Sequence, residues 1–94
     1  MKTKTMAWDA AAHLNTKKDR AAYLALALEE GDAALITAAL GDIARSEGMA
    51  KIARKTGLGR ESLYKALSTK GNPELATLLK VFHAIGLKLQ AVPC

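Results

Sequence analysis

The side chains best equipped for chemistry lie between Met49 and Gly71, where Lys51, Arg54, Lys55, Arg60, Lys65 and Lys70 are set against a single acid, Glu61. The rest of the 94-residue chain holds eight bases and eight acids, so the whole formal excess of +5 sits in this quarter of it. Such a concentration aims a positive surface at a polyanion and leaves the remainder free for packing or protein contacts. Other chemistries lack their parts. His13 and His83 lie far apart in sequence and assemble no acid–base cluster. Ser62 and Ser68 have no base at a catalytic spacing, and neither standard glycine-rich phosphate loop is present. The single cysteine, Cys94, has no partner for an internal disulfide and no neighbouring His or Cys for zinc. No catalytic residue, metal site or cofactor is expected, and Cys94 reads as an exposed tail thiol.

The basic run reads as two short helices around a tight turn. In MAKIARKTGLGRESLYKALS, Ile52 and Ala53 face inward from the first helix, and Ala53 is small where a second helix must cross closely. Gly57 stands where the turn needs a left-handed backbone. Leu58 plugs the gap between the helices, and Leu63 anchors the second one to the core. The face left outward carries Arg60, Glu61, Tyr64, Lys65 and Ser68, a set able to read guanine edges and to reach phosphates from the major groove of double-stranded DNA. Lys51, Arg54, Lys55 and Lys70 flank it and suit phosphate contacts.

These helices need a scaffold, and composition allows one small core. Half of the residues are hydrophobic but only four are aromatic, which favours an all-α domain built from Ala, Leu and Ile. The longest apolar run, Ala21 to Leu28, falls far short of the roughly 18 residues of a membrane span. The N-terminus has no continuous apolar stretch of the secretory kind, so the expected location is the cytoplasm. One domain is expected over 1–94, opening with an arm over 1–15 in which Trp8, Ala12 and Leu14 lay an apolar strip on the core. Two helices over 16–48 follow, the first opened by Thr16 and Asp19 and stopped by Gly31, the second capped by Asp32 and ending near Gly48. In that second helix Ile36, Leu40 and Ile43 share a face. Gly41, which costs about 1 kcal/mol relative to Ala, marks a close contact there. After the two short helices of 49–68, Asn72-Pro73-Glu74 predicts a last helix over 72–86, with Asn72 as its cap and Leu75, Leu78, Leu79 and Phe82 inward. The alternating tail 87–93 reads as one short strand, whose partner is the same strand of a second copy or, alternatively, as a loosely docked tail.

The first helix is apolar nearly all round. Ala21, Leu24, Ala27 and Leu28 fill one stripe, while Ala22, Tyr23 and Leu26 lie around the other side. Either the arm and the rest of the domain sandwich it, or Tyr23 and Leu26, together with Trp8, form a partner-facing surface.

The run ALGDIARSEGMAKIARKTGLGRESLYKALSTKGNPELATLLKVFHAIGLKLQAV resembles the phage-repressor (Xre-like) type of helix-turn-helix domain. Together with AWDAAAHL and RAAYLALALEEGDAALITAALGDIA upstream, it is similar to the small addiction-module antidote proteins encoded beside RelE/ParE-like toxins. The most specific stretch is GLGRESLYKALSTKGNPELATLLKV. What the resemblance implies is a dimeric antitoxin that binds operator DNA, represses its own operon and neutralises its toxin by direct contact. Two departures stand out: Gly59 where such sequences usually carry Ser, and Asn15-Thr16-Lys17-Lys18 where acids are usual. Two other readings stay open from the residues alone, a free-standing transcription regulator without a toxin and a protein-interaction module that uses the helix pair as scaffold.

Overall fold

Thr16 and Asp32 each start a helix in the way their side chains allow. The Thr16 hydroxyl accepts the Asp19 N–H at 3.0 Å, and the Asp32 carboxylate accepts the Ala34 N–H at 2.9 Å. The computed structural model describes residues 14–68 and 70–94, and its regular structure is helical: α1 (Lys17–Glu30), α2 (Ala33–Glu47), α3 (Met49–Thr56), α4 (Arg60–Ala66) and α5 (Leu75–Ala84). The proposed arm lies outside the described residues up to His13, Trp8 and Ala12 included. Leu14, the last apolar residue of that strip, is 1% exposed and belongs to the core.

Gly31, at φ 68, closes α1 with a left-handed residue and turns the chain into α2. The pair runs antiparallel, as three ties show. Ser46 Oγ donates to the Leu14 carbonyl at 3.1 Å, Arg20 meets Glu47 at 2.7 Å, and the Tyr23 hydroxyl donates to Asp42 Oδ2 at 2.6 Å. The Arg20–Glu47 pair is nearly dry, with side chains 13% and 11% exposed, and Glu47 also receives Lys51 at 3.3 Å. One carboxylate thus joins α1, α2 and α3. Leu40 and Ile43 from α2, Ile52 from α3, Leu63 from α4, and Val81 and Ile85 at the end of the chain's last helix fill the centre. Leu24 of α1 and Leu14 close it on one side.

Three expectations are corrected. The last helix begins at Leu75, with Glu74 in extended backbone (ψ 155) as the cap residue and no side-chain cap bond, so Asn72 caps nothing. Pro73 fixes only its own φ and biases Asn72 to extended backbone, and the chain stays extended until the Glu74 carbonyl takes the first helical bond, from Leu78 N–H at 3.0 Å. The inward face of α5 is Leu78, Val81 and Phe82, continued by Ile85, while Leu75 and Leu79 are 64% and 49% exposed. The apolar arc of α5 is wider than the chain can cover. The same holds for α1, where Ala21 and Leu28 are exposed and only Leu24 and Ala27 are buried. The strand expected over 87–93 needs a second copy to pair with, and the single chain forms none over 87–94. Helix α5 ends instead in a tight double bond, Gly86 N–H to the His83 carbonyl and Leu87 N–H to the Phe82 carbonyl, with Gly86 at φ 79.

Candidate nucleic-acid interface

The α3–α4 turn is set by a glycine and a threonine. Gly57 takes φ 76 and donates its N–H to the Ala53 carbonyl at 2.9 Å, a conformation other residues adopt reluctantly. Thr56 is buried. Its hydroxyl donates to the Ile52 carbonyl at 2.8 Å and accepts the Leu58 N–H at 3.3 Å, so one side chain ties the end of α3 to the turn. Sequence reasoning passed over Thr56, because its only signal was a polar residue one place before the turn glycine. Leu58 packs partly buried on the core, as expected of the plug between the two helices.

Leu63 is fully buried and Leu67 is 2% exposed, so the opposite side of α4 must face outward. That side carries Glu61, Tyr64 and Lys65, with Ser68 just beyond the helix, while Arg60 is the first residue of α4, and all five are exposed. The Ser68 hydroxyl donates to the Lys65 carbonyl at 2.9 Å, which closes the last turn. Helix α4 is held at this angle partly by Gly41 of α2, where a Cβ would stand 2.7 Å from the Leu67 carbonyl oxygen. The close contact expected at Gly41 is therefore with the end of α4. At the other end Gly59 has extended backbone (φ −69), makes no side-chain cap bond and has open space where a side chain would go.

Seven of the nine residues expected to meet nucleic acid fall into three groups, and the other two, Glu61 and Tyr64, stand exposed on α4 outside them. Arg54 and Arg60 line one shallow recess across the turn, together with Gly57 and Leu58. Lys65, Ser68 and Lys70 line a second with Ser62 and Asn72, two exposed polar groups that could join them. Lys51 and Lys55 turn the other way. Lys51 is paired with Glu47, and Lys55 Nζ donates to the Ala84 carbonyl at 3.4 Å, at the negative end of α5. They line a third recess with Lys17 and His83. Helical spacing explains the split, since Ile52, Ala53 and Thr56 are buried and leave 51 and 55 on one flank and 54 on the other.

Of the three expected partner-facing residues, Trp8 lies outside the described residues. Leu26 is 70% exposed, and Tyr23 is half-buried with its hydroxyl on Asp42. Both line a groove between α1 and α2. Burial first, then the bond to Asp42 and that carboxylate's charge, push the Tyr23 hydroxyl up to about 12. Among the described residues no group of three or more His, Cys, Asp or Glu side chains could hold a metal ion, and no helix is long and apolar enough to cross a membrane.

An uncharacterized protein of Haemophilus influenzae is 48% identical over 83 residues, spanning 88% of this chain and 86% of the relative. No solved structure matches significantly. Residues 4–93 match the family described as "Probable addiction module antidote protein", and the chain belongs to that family.

Proposed function

We propose that this chain is the antitoxin of a type II toxin–antitoxin module. It binds double-stranded operator DNA through α3, the turn and α4, arranged as a helix-turn-helix of the phage-repressor kind. As a homodimer it represses its own operon, and by direct contact it neutralises a RelE/ParE-like toxin. The observation that carries the reading is the outer face of α4. Arg60, Tyr64 and Lys65 point away from the core while Leu63 is wholly buried, and the chain's entire charge excess lies on this segment. A helix kept only as scaffold has no need of that basic face. Arg60 and Lys65 then contact base edges, and Arg54 and Lys70 the phosphates beside them. Lys51 and Lys55, committed to Glu47 and to the end of α5, contribute field more than contact.

The family supports the toxin half of the reading, since an addiction-module antidote acts on a partner rather than on a substrate. The function is one of binding, and the compartment is the cytoplasm, where operator and toxin are both met. The dimer rests on the twofold symmetry usual for this motif, with half-sites about 34 Å apart. The alternating tail 87–92, exposed at Leu89 and Val92, offers a twofold strand pairing with a second copy. Two assays test the pair of activities. A reporter driven by the promoter upstream of the gene should be repressed by the wild-type chain and released by the Arg60→Ala/Lys65→Ala double variant. Growth arrested by the small protein encoded beside the gene should be restored by co-expression of either. Repression by the double variant at wild-type level would remove the operator assignment, and unrelieved arrest would remove the antidote one.

A further inference from the structure

The charge of this chain is polarised in a way its total conceals. From Ala21 to Ala44 there are four acids, Glu29, Glu30, Asp32 and Asp42, and no base at all. The acids Glu29, Glu30 and Asp32 thus cluster where α1 turns into α2, while the bases of these two helices, Lys17, Lys18, Arg20 and Arg45, lie toward their other ends. Beside that turn lies the groove lined by Tyr23, Leu26, Leu35, Ala38 and Glu30. Its walls are almost wholly apolar side chains. Leu26 and Leu35 stand 70% and 45% exposed on either side of it. Its volume of about 240 Å³ is below the 300–1,000 Å³ of ordinary small-molecule sites, so it suits one inserted side chain better than a cofactor.

Charge chooses the occupant. Nucleic acid is repelled by an acidic rim. A second copy docked on the groove about a twofold axis would set the same patch against itself and bring two Glu30 carboxylates into one interface with no base of the groove to answer them. What fits is a protein segment with the opposite rim. Resting on the antidote reading above, we infer that the α1–α2 groove is the toxin-docking site, and that the toxin presents to it an apolar side chain flanked by Lys or Arg. The Tyr23 hydroxyl, held by Asp42 Oδ2 at 2.6 Å, fixes the floor of the groove, and Asp42 is fixed in turn by Arg45 at 2.6 Å. Glu30 at the groove and its exposed neighbours Glu29 and Asp32 steer the basic partner.

The test uses the full chain and the purified small protein encoded beside its gene, with affinity measured by titration calorimetry across a salt series. Four chains are compared: wild type, Leu26→Ser/Leu35→Ser, Glu29→Lys/Glu30→Lys, and Arg60→Ala/Lys65→Ala. The two leucines are exposed, so the serine variant keeps the wild-type circular dichroism spectrum. It should lose roughly thirtyfold or more in affinity, as removal of central anchors does. The charge-reversed variant should bind more weakly at low salt and lose most of the wild-type salt dependence. The α4 variant should bind like wild type. Wild-type affinity in the serine variant overturns the groove assignment while leaving the antidote reading intact. No binding by the wild-type chain removes both. Two other results overturn the occupant: a dimer that falls to monomer in the serine variant, which assigns the groove to a second copy, or a red shift of the single Trp8 emission in the free serine variant, which assigns it to the chain's own N-terminal segment.

Discussion

On the proposed function, Arg60 and Lys65 are the residues on which operator recognition depends most directly. Both are exposed on α4, three residues before and two residues after the buried Leu63. Replacing either with Ala should leave helicity and thermal stability near wild type and weaken operator binding by about 1–3 kcal/mol, read by gel shift or fluorescence anisotropy. Lys51→Ala should cost operator affinity much less, because that ammonium already answers Glu47. An equal loss in all three variants would mean that the recesses of α3 and α4 act as one undivided field. Tyr23 gives a prediction of a different kind. Its hydroxyl, raised from 10.0 to about 12, keeps its proton in the folded chain over an interval in which the unfolded chain releases it. The stabilisation is complete below pH 10 and is lost as pH climbs toward 12. Unfolding free energy should therefore fall more steeply over that interval in wild type than in Tyr23→Phe, as urea titrations at several pH values would show. Equal slopes would contradict the Tyr23–Asp42 bond. Neither this bond nor the nearly dry Arg20–Glu47 pair was legible in the sequence, because each joins residues many places apart whose neighbours name no partner.

At the scale of elements, the sequence was most legible where a local rule decides the outcome. Thr16, Gly31, Asp32, Gly48 and Gly57 bound α1, α2 and α3 where capping and left-handed turns place them. It was least legible where several apolar residues compete for one buried face. Leu75, Leu79, Ala21 and Leu28 fit a helical stripe yet remain exposed, since period alone does not say how wide an arc the neighbouring helices cover. The start of α5 failed for a related reason: Asn-Pro-Glu satisfies the rules for a helix beginning, and the extended path from α4 postponed it to Leu75. Gly41 shows local and tertiary demands in conflict. Inside a helix Gly41→Ala should gain about 1 kcal/mol from propensity. Here the new Cβ would meet the Leu67 carbonyl at 2.7 Å and the Arg45 guanidinium at 3.2 Å. The backbone contact cannot give way cheaply, so the substitution should destabilise by about 1–3 kcal/mol and tilt α4, with operator binding lost alongside stability. A more stable Gly41→Ala variant with full operator affinity would show that this contact does not position α4.

Over the whole molecule, one small core separates the basic outer face of α4 from the apolar groove of α1 and α2, which Glu30 edges. On the proposed function the first takes DNA and the second a basic protein, so the two partners would not compete for the same residues. That separation was half visible in advance. The sequence located the basic segment and offered Tyr23 and Leu26 as a partner-facing surface beside the alternative of a sandwiched helix, but only the antiparallel packing of α1 on α2 brings Leu26 and Leu35 to the two sides of one groove. The central claim is sequence-specific operator binding. The direct measurement is the affinity of the purified chain for a labelled duplex from upstream of its gene, beside a scrambled duplex of equal length, across a salt series. The genuine site should be preferred by about 10³ or more, with affinity for both duplexes falling steeply as salt rises. Equal, weak binding to the two duplexes would contradict it and leave the basic face of α4 without its proposed role.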